Sequence, residues 1–190
     1  GLDGEMIDRF AEAGLNCALP YSSMALGSVK GKAHEPGQIR EVLDLAEKSG
    51  LKVIFSCKDV GSSARHGLQK WHGAEGQEAI VQRVTALLKD HPALLAWYIN
   101  DEQPLSQIER LTRMRRQFNQ LDGDHPTVGT LYQYEDLPNY GPTCDIMGVD
   151  PYPLHGKDMK IAVTAMKQLR RTGLPRWVVP QICNLKVYYL

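Results

Sequence analysis

An apolar run that ends in adjacent carboxylates is the stretch of this sequence best suited to do chemistry. Residues 94–104 read LLAWYINDEQP, so Asp101 and Glu102 follow Asn100 directly and Pro104 opens the next segment. A carboxyl group at the end of a buried strand is partly removed from water and lies beside a second negative charge; both effects raise its pKa. It can therefore stay protonated near neutral pH and act as a general acid. The alternative is structural, because carboxylates are also favoured at the N-terminus of a helix that Pro104 would begin.

Hydrophobic periodicity predicts helices that alternate with short apolar strands along the whole chain. The predicted strands are LNCALPY, LKVIFSC, ALLAWYIN, PTVGTLY, CDIMGVD and RWVVPQI, at residues 15–21, 51–57, 93–100, 126–132, 144–150 and 176–182. Three junctions, AEAGLNCALP, AEKSGLKVIF and RRTGLPRWVVP, share the order helix, glycine, leucine, strand. The glycine fits a left-handed helix C-cap, and the leucine is expected to pack back as the chain enters the sheet. Nearly continuous apolar strands are typical of a parallel sheet covered by helices, which predicts an α/β domain.

Two observations favour a closed (β/α)8 TIM barrel over an open doubly wound sheet. No glycine-rich phosphate loop follows any predicted strand. Polar and aromatic residues instead follow nearly every strand, as at the C-terminal ends of barrel strands, where active sites are built. These residues are Tyr21, Ser22, Ser23, Lys58, Asp59, Asn100, Asp101, Glu102, Tyr132, Gln133, Asp150, Tyr152, Gln181 and Asn184. With six strands found, we expect residues 1–190 to be a single domain, a partial TIM barrel that holds barrel strands two to seven.

The carboxylate stretch and two others resemble a known family. AWYINDEQP resembles the fourth-strand signature of TIM-barrel glycoside hydrolases, in which a strand ends in Asn-Glu-Pro or Asp-Glu-Pro and the glutamate is the general acid/base. DIMGVDPYPL is similar to the sixth strand of that group, and AGLNCALPYSS to its second. The resemblance implies a glycosidase that cleaves O-glycosidic bonds of an oligo- or polysaccharide, with Glu102 as acid/base.

The expected second carboxylate is missing from its usual place. Glycoside hydrolysis uses two carboxyl groups, and in the resembled clan the nucleophile is a glutamate at the end of strand seven, where this sequence has Gln181. An amide binds a sugar hydroxyl but cannot attack an anomeric carbon. Asp150 is the first substitute and Asp59 the next, while Asp101, beside Glu102, is also predicted as a catalytic carboxylate. Asp150 also has a structural interpretation, because Asp-Pro commonly initiates a turn.

Residues for binding a sugar are expected at the same strand ends and in the long segment 59–76. The predicted substrate-binding residues are Tyr21, Lys58, Asn100, Trp71, Tyr132, Tyr152 and Gln181. In segment 59–76, Trp71 with Arg65, His66 and His72 would offer a platform for a pyranose ring, since long loops are often functional. The alternative for each is a side chain that packs on its own loop. The spacing of His66 and His72 is not a recognised ligand pattern, so no metal and no cofactor are predicted.

Composition and charge leave few other classes of partner. The 22 basic and 22 acidic residues balance, which gives no support for binding nucleic acid. No apolar stretch approaches the roughly 20 residues that span a bilayer, so no membrane partner is predicted. The four cysteines form no CxxC pair and are expected to be buried thiols. The sequence leaves the compartment open, secreted or periplasmic locations included.

Two further functions and one assembly prediction remain open from the sequence. Because Gln181 replaces the nucleophile, the chain is alternatively a catalytically degraded barrel that binds glycans. A barrel enzyme of another class, such as an aldolase, would want a lysine inside a strand, whereas Lys52 and Lys58 lie at strand ends. A barrel without its first and last strands has open edges, so we expect a homo-oligomer or the remainder of a longer chain.

Overall fold

The predicted alternation of helices and strands is present in the computed structural model, which describes residues 4–24, 33–62, 67–153 and 158–180. The helices are α1 (Gly4–Glu12), α2 (Pro36–Lys48), α3 (Gly76–Leu88), α4 (Ile108–Leu121) and α5 (Lys160–Arg170). The strands are β1 (Cys17–Ala18), β2 (Lys52–Ser56), β3 (Lys70–Trp71), β4 (Ala74–Glu75), β5 (Leu94–Asp101), β6 (Thr127–Leu131), β7 (Ile146–Val149) and β8 (Arg176–Val178). Short 3-10 helices cover Leu105–Gln107 and Tyr134–Thr143.

Six strands form one sheet in the order β1-β2-β5-β6-β7-β8. The ladders between β1 and β2, β2 and β5, β6 and β7, and β7 and β8 are parallel. All six predicted strands are therefore present, with helices between them, and the predicted fold class of a partial TIM barrel is confirmed. In such a sheet the C-terminal ends of neighbouring parallel strands share an edge, which is where the chemically interesting residues were predicted.

The repeated helix–glycine–leucine junction has a backbone explanation. The three glycines have positive φ, 75° at Gly14, 71° at Gly50 and 72° at Gly173. This left-handed conformation ends each helix and is accessible to glycine at little cost. The leucines differ: Leu51 is buried and Leu174 packs partly on the core, but Leu15 is 50% exposed. The predicted turn is thus confirmed three times, and the predicted packing twice.

The chain divides into two compact units. The first comprises Gly1–Ile99 and Arg113–Thr127. Its core is built on aromatic contacts: Trp97 stacks on Phe118 with ring centroids 4.8 Å apart and meets Phe55 edge-on at 6.0 Å. The indole N–H of Trp97 donates to the buried Asp122 carboxylate at 2.8 Å, so its one polar atom is satisfied within the core.

The second unit comprises Asn100–Thr112 and Val128–Leu190. Its core contains Leu131, Leu137, Tyr140, Cys144, Met147, Val149, Ala165 and Leu169, all fully buried. This unit holds the C-terminal end of β5, nearly all of β6, and β7. The ends of three strands that carry predicted site residues therefore lie within one compact unit.

The long segment 59–76, predicted as a functional loop, contains a hairpin. Strands β3 and β4 pair antiparallel, with Lys70 opposite Glu75. The two residues between the strands, His72 and Gly73, have φ of 45° and 82°. Two successive positive φ values are those of a type I′ turn, whose twist suits a tight hairpin.

The cysteines of the described residues are free thiols that are buried or partly buried. Cys57 and Cys144 are buried free thiols and Cys17 is partly buried, while Cys183 lies outside the described residues. Burial raises the pKa of the Cys57 thiol well above its usual value, and Asp59 adds to that effect, so Cys57 stays an unreactive thiol.

In the part of the chain that the structure describes, no helix combines the length and the hydropathy needed to cross a bilayer.

Candidate active site at the ends of β5, β6 and β7

The turn after β5 places Glu102 in an unusual backbone conformation. Its φ is 54°, in the left-handed region that costs a residue with a side chain roughly 1–2 kcal/mol. Its N–H donates to the carbonyl oxygen of Thr130 in β6 at 2.9 Å, and the next N–H, of Gln103, donates to Asn100 Oδ1 at 3.2 Å. Strained residues of this kind cluster at functional sites, so the backbone conformation is a second reason to consider Glu102 a candidate site residue.

The carboxyl groups of Glu102 and Asp150 are neighbours, within reach of a shared hydrogen bond. Such a bond requires a proton on one of them. Asp150 follows β7 directly and is buried; its Oδ2 accepts a hydrogen bond from the Tyr152 hydroxyl at 3.2 Å. Its Oδ1 is buried and accepts no hydrogen bond from the N–H and hydroxyl donors of the described residues. The structure thus brings together two of the predicted catalytic carboxylates and one predicted binding residue.

The environment of the pair favours protonated Glu102. Burial, the charge of Asp150, the hydrogen bond with Asp150 and the charge of Asp101 together raise the pKa of Glu102 from 4.5 to about 7. Burial also raises the pKa of Asp150, but the hydrogen bonds from Glu102 and Tyr152 oppose that rise. Below pH 7 Glu102 is therefore mainly protonated. A protonated Glu102 beside an ionised Asp150 is the state that a general acid beside a carboxylate nucleophile needs.

Two phenols near the pair remain protonated over the physiological range. Burial and then the charges of Asp150 and Glu102 raise the pKa of Tyr134 to about 12. Burial, the charge of Asp150 and the hydrogen bond to Asp150 raise the pKa of Tyr152 even more than that of Tyr134. Both hydroxyls are therefore protonated and can donate hydrogen bonds. The Tyr152 hydroxyl donates to Asp150 Oδ2.

The other predicted binding residues of this unit divide into one exposed and one buried side chain. Tyr132, which follows β6, is 52% exposed. Asn100 is fully buried, and its Oδ1 supports the turn by accepting the Gln103 N–H. Asn100 therefore supports the turn that carries Glu102, and its predicted role in binding a sugar stays a prediction. Gln181 lies outside the described residues.

Three predicted residues of the first unit contact one another. Lys58, after β2, places its ammonium nitrogen 4.1 Å from the ring centroid of Tyr21, and Tyr21 is 54% exposed. The same nitrogen is 3.2 Å from Asp59 Oδ1. Asp59, the second substitute for the missing nucleophile, is thus an ion-pair partner of Lys58.

The predicted tryptophan platform is wrong for Trp71. Its side chain is 2% exposed, and its indole N–H donates to the His34 carbonyl oxygen at 3.0 Å. A ring packed in the core offers no face to a sugar, so Trp71 is a structural residue of the hairpin. His72 lies 3.4 Å from Glu35 through its Nε2, and Arg65 and His66 lie outside the described residues.

One cluster in the described residues has metal-ligand composition, namely Asp44, Glu47 and His91. His91 Nδ1 accepts the N–H of Ala93 at 3.1 Å, and its Nε2 lies 3.0 Å from Asp44 Oδ1. In the neutral ring the proton must then be on Nε2, where it is donated to Asp44. Because both ring nitrogens are engaged, His91 has no lone pair for a cation, and we assign no metal to this cluster.

Gln133 contacts the site, although the sequence predicts only that it is a polar residue at the end of a strand. Its Nε2 donates to the carbonyl oxygen of Glu102 at 3.1 Å. The available signal was its position at the end of β6, next to the strand that carries Glu102. A hydrogen bond to a backbone atom on another strand has no sequence pattern, so the contact could not be inferred.

Several solved structures of glycoside hydrolases are similar in fold to this chain. The Pseudomonas stutzeri endoglucanase Cel5A is similar with a TM-score of 0.64, 14% identity, and coverage of 93% of this chain and 66% of that chain. A β-glucuronidase from an uncultured Clostridium sp. has a TM-score of 0.60 and 17% identity, covering 93% and 32%. A family 39 glycoside hydrolase from Bacteroides cellulosilyticus WH2 has a TM-score of 0.53 and 13% identity, covering 80% and 36%.

These likenesses concern the fold. No protein-family model and no curated protein sequence matches the chain. The chain spans about a fifth to a third of the first β-glucuronidase chains it resembles. The likeness shows a fold of the partial TIM-barrel kind, which these glycoside hydrolases share. The predicted oligomer or longer chain stays a prediction.

Proposed function

We propose that this chain carries a glycosidase active site that cleaves O-glycosidic bonds, with Glu102 as general acid/base and Asp150 as the second carboxylate. The observation that carries the proposal is the pair of neighbouring carboxyls at the ends of β5 and β7, which raises the pKa of Glu102. The glycosidase fold of the structural neighbours supports the same chemistry, and their names make β-glucosidic and β-glucuronidic bonds the first substrates to test.

The environments of the two carboxyls support different roles. Protonated Glu102 donates its proton to the glycosidic oxygen as the bond from that oxygen to the anomeric carbon breaks. Ionised Asp150, oriented by Tyr152, attacks the anomeric carbon and forms a glycosyl ester. Water then hydrolyses the ester, and the Glu102 carboxylate accepts a proton from that water.

Contact between the carboxyl groups favours retention over inversion. An inverting pair stands roughly 6.5–9.5 Å apart so that a water fits between its members, whereas a retaining pair is about 5–5.5 Å apart. Carboxyls close enough to raise each other's pKa by charge and hydrogen bonding, as Asp150 does for Glu102, are nearer than the inverting spacing. We therefore expect the product to keep the anomeric configuration of the substrate, which NMR of the fresh product would show.

The first test compares substitutions in the pair on two kinds of substrate. Glu102→Gln should lower turnover of cello-oligosaccharides, which have poor leaving groups, by about 10²–10⁴-fold while sparing 4-nitrophenyl glycosides, which need little protonation. Asp150→Asn should abolish turnover of both. Glu135→Gln, at an exposed glutamate of the same unit, is the matched control and should retain activity.

The remaining outcomes separate the alternatives. Wild-type protein that binds glycans on an array without releasing product would support the glycan-binding barrel. Asp150→Asn protein with intact activity would make Asp150 a turn residue and move the second carboxylate to Asp59 or Asp101.

A further inference from the structure

The turn that carries Glu102 is fixed by hydrogen bonds at both of its peptide units. Gln133 Nε2 donates to the Glu102 carbonyl oxygen at 3.1 Å, and the Tyr140 hydroxyl donates to the Gln103 carbonyl oxygen at 2.8 Å. On the other side, the Glu102 N–H donates to Thr130 at 2.9 Å. Both carbonyl oxygens are thus held by side chains from one segment, residues 133–143.

We propose that Gln133 is a positioning residue that holds the backbone of Glu102 in its left-handed conformation and thereby keeps the Glu102 carboxyl against Asp150. The effect of Gln133 on catalysis rests on the proposed function, whereas its effect on the backbone of Glu102 does not. Without the Gln133 amide, the Glu102 peptide would be free to rotate toward the negative φ that a residue with a side chain prefers.

Gln133 is well placed to impose this conformation. Its own backbone follows β6 directly, and its carbonyl oxygen accepts the Asp136 N–H at 3.1 Å, so the base of the side chain is fixed. The orientation of its amide is also fixed, because a flipped amide would set Oε1 against the Glu102 carbonyl oxygen. The Oε1 atom is buried and has no hydrogen-bond partner among the described residues, which is a cost that the Nε2 contact must offset.

The consequence is a coupling between a backbone contact and a side-chain titration. The contact between Glu102 and Asp150 is one cause of the raised pKa of Glu102. If the turn relaxes and the two carboxyls separate, that cause disappears and the pKa of Glu102 falls. A residue that only stabilised the fold would lower the melting temperature without moving this titration.

The test is Gln133→Met, which keeps the length of the side chain and removes its N–H. Glutamates labelled with ¹³C at the side-chain carboxyl would be titrated by NMR, with the Glu102 signal assigned by its absence from Glu102→Gln protein. We expect the Glu102 pKa to fall by about one unit in Gln133→Met. Gln168→Met is the matched control, because Gln168 also donates a side-chain hydrogen bond, to Glu135 at 2.7 Å. In Gln168→Met protein the titration of Glu102 should equal that in the wild type.

Activity gives an independent readout. In Gln133→Met the alkaline limb of the kcat profile should move to lower pH with the same shift, whereas KM should change little. An unchanged Glu102 titration in folded Gln133→Met protein would overturn the proposal, whatever happens to activity. If wild-type protein hydrolyses no glycoside but the titration still shifts, the proposed function fails and the positioning role stands.

A second variant covers the case in which Gln133→Met does not fold, as judged by circular dichroism. Tyr140→Phe removes only the hydroxyl that holds the Gln103 carbonyl oxygen. It should move the Glu102 titration in the same direction by a smaller amount, and an unmoved titration there would overturn the proposal.

Discussion

Glu102 combines a raised pKa with a strained backbone. Its φ lies in the left-handed region, and burial together with the charges of Asp150 and Asp101 stabilises the protonated form of its carboxyl. A glycine at this position would relieve the strain but remove the acid. A glutamate at a position whose conformation favours glycine is therefore consistent with a chemical role for Glu102.

The strain predicts an inverted order of stability at this residue. Glu102→Gly should be more stable than Glu102→Ala by about 0.5–1 kcal/mol, because alanine pays the left-handed cost and glycine does not. Lys167, exposed in α5, is the control, where the glycine variant should be less stable than the alanine variant by about 1 kcal/mol. Urea unfolding measures all four proteins, and the same order at both positions would contradict a left-handed Glu102.

The charge of Asp101 predicts the pH dependence of activity. Glu102 must be protonated to act as an acid, so kcat should fall on the alkaline side with a pKa of about 7. Asp101 raises the Glu102 pKa by its charge, so Asp101→Asn should move that limb to lower pH by a few tenths of a unit. Steady-state kinetics from pH 5 to 9 measure the limb. A shift to higher pH would mean that Asp101 acts through another contact.

At the scale of elements, β6 is the support of the site. Its Thr130 fixes the Glu102 N–H, and its Gly129 leaves room for the buried Asn100 side chain. A Cβ atom on Gly129 would lie 3.0 Å from Asn100 Cβ and 3.5 Å from Cys144 Sγ. The absence of a side chain at this point of the strand is therefore a packing requirement.

This close approach predicts that Gly129→Ala displaces Asn100 and loosens the turn after β5. We expect a loss of about 1–3 kcal/mol in the free energy of unfolding, as for other overpacked positions, and reduced turnover. Gly123→Ala is the control, because a Cβ there meets no atom within 4 Å and its φ is not positive. Denaturant unfolding compares the two, and equal stability for both variants would show that the space around Asn100 adapts.

At the scale of the whole molecule, the carboxyl pair links stability to pH. In the folded protein the pKa of Glu102 is about 7, against 4.5 ordinarily, and that of Asp150 is also raised. Between these values the folded state binds more protons than the unfolded state. The contribution of the pair to stability is therefore present at low pH, falls as pH rises from 4.5 to 7, and is lost above 7.

Glu102→Gln should remove much of that dependence. The melting temperature of the wild type, relative to the variant, should decrease from pH 4.5 to about 7 and then level off. Differential scanning calorimetry at low protein concentration measures both proteins across this range. A difference that grows in favour of the wild type with rising pH would mean that the folded state stabilises ionised Glu102.

Local chain properties were sufficient to predict most of the fold. Each strand is short and apolar, each helix repeats at 3.6 residues, and Gly14, Gly50 and Gly173 end helices through their own freedom at positive φ. These are properties of neighbours in sequence, so they are visible without coordinates. The same holds for Glu102 and Asp150 as strand-end carboxylates and for the glycosidase resemblance that they carry.

Contacts between distant residues were decided only by the tertiary structure. The proximity of the Glu102 and Asp150 carboxyls, the support of the turn by Gln133, and the burial of Trp71 and Asn100 all depend on which strands and loops are neighbours. Trp71 was misassigned because an exposed and a buried tryptophan look alike in a loop sequence. The sequence by itself thus determined which elements form and which residues end them, since those depend on local sterics and periodicity. Which side chains meet, and hence which carboxyl keeps a proton, depended on packing across the sheet.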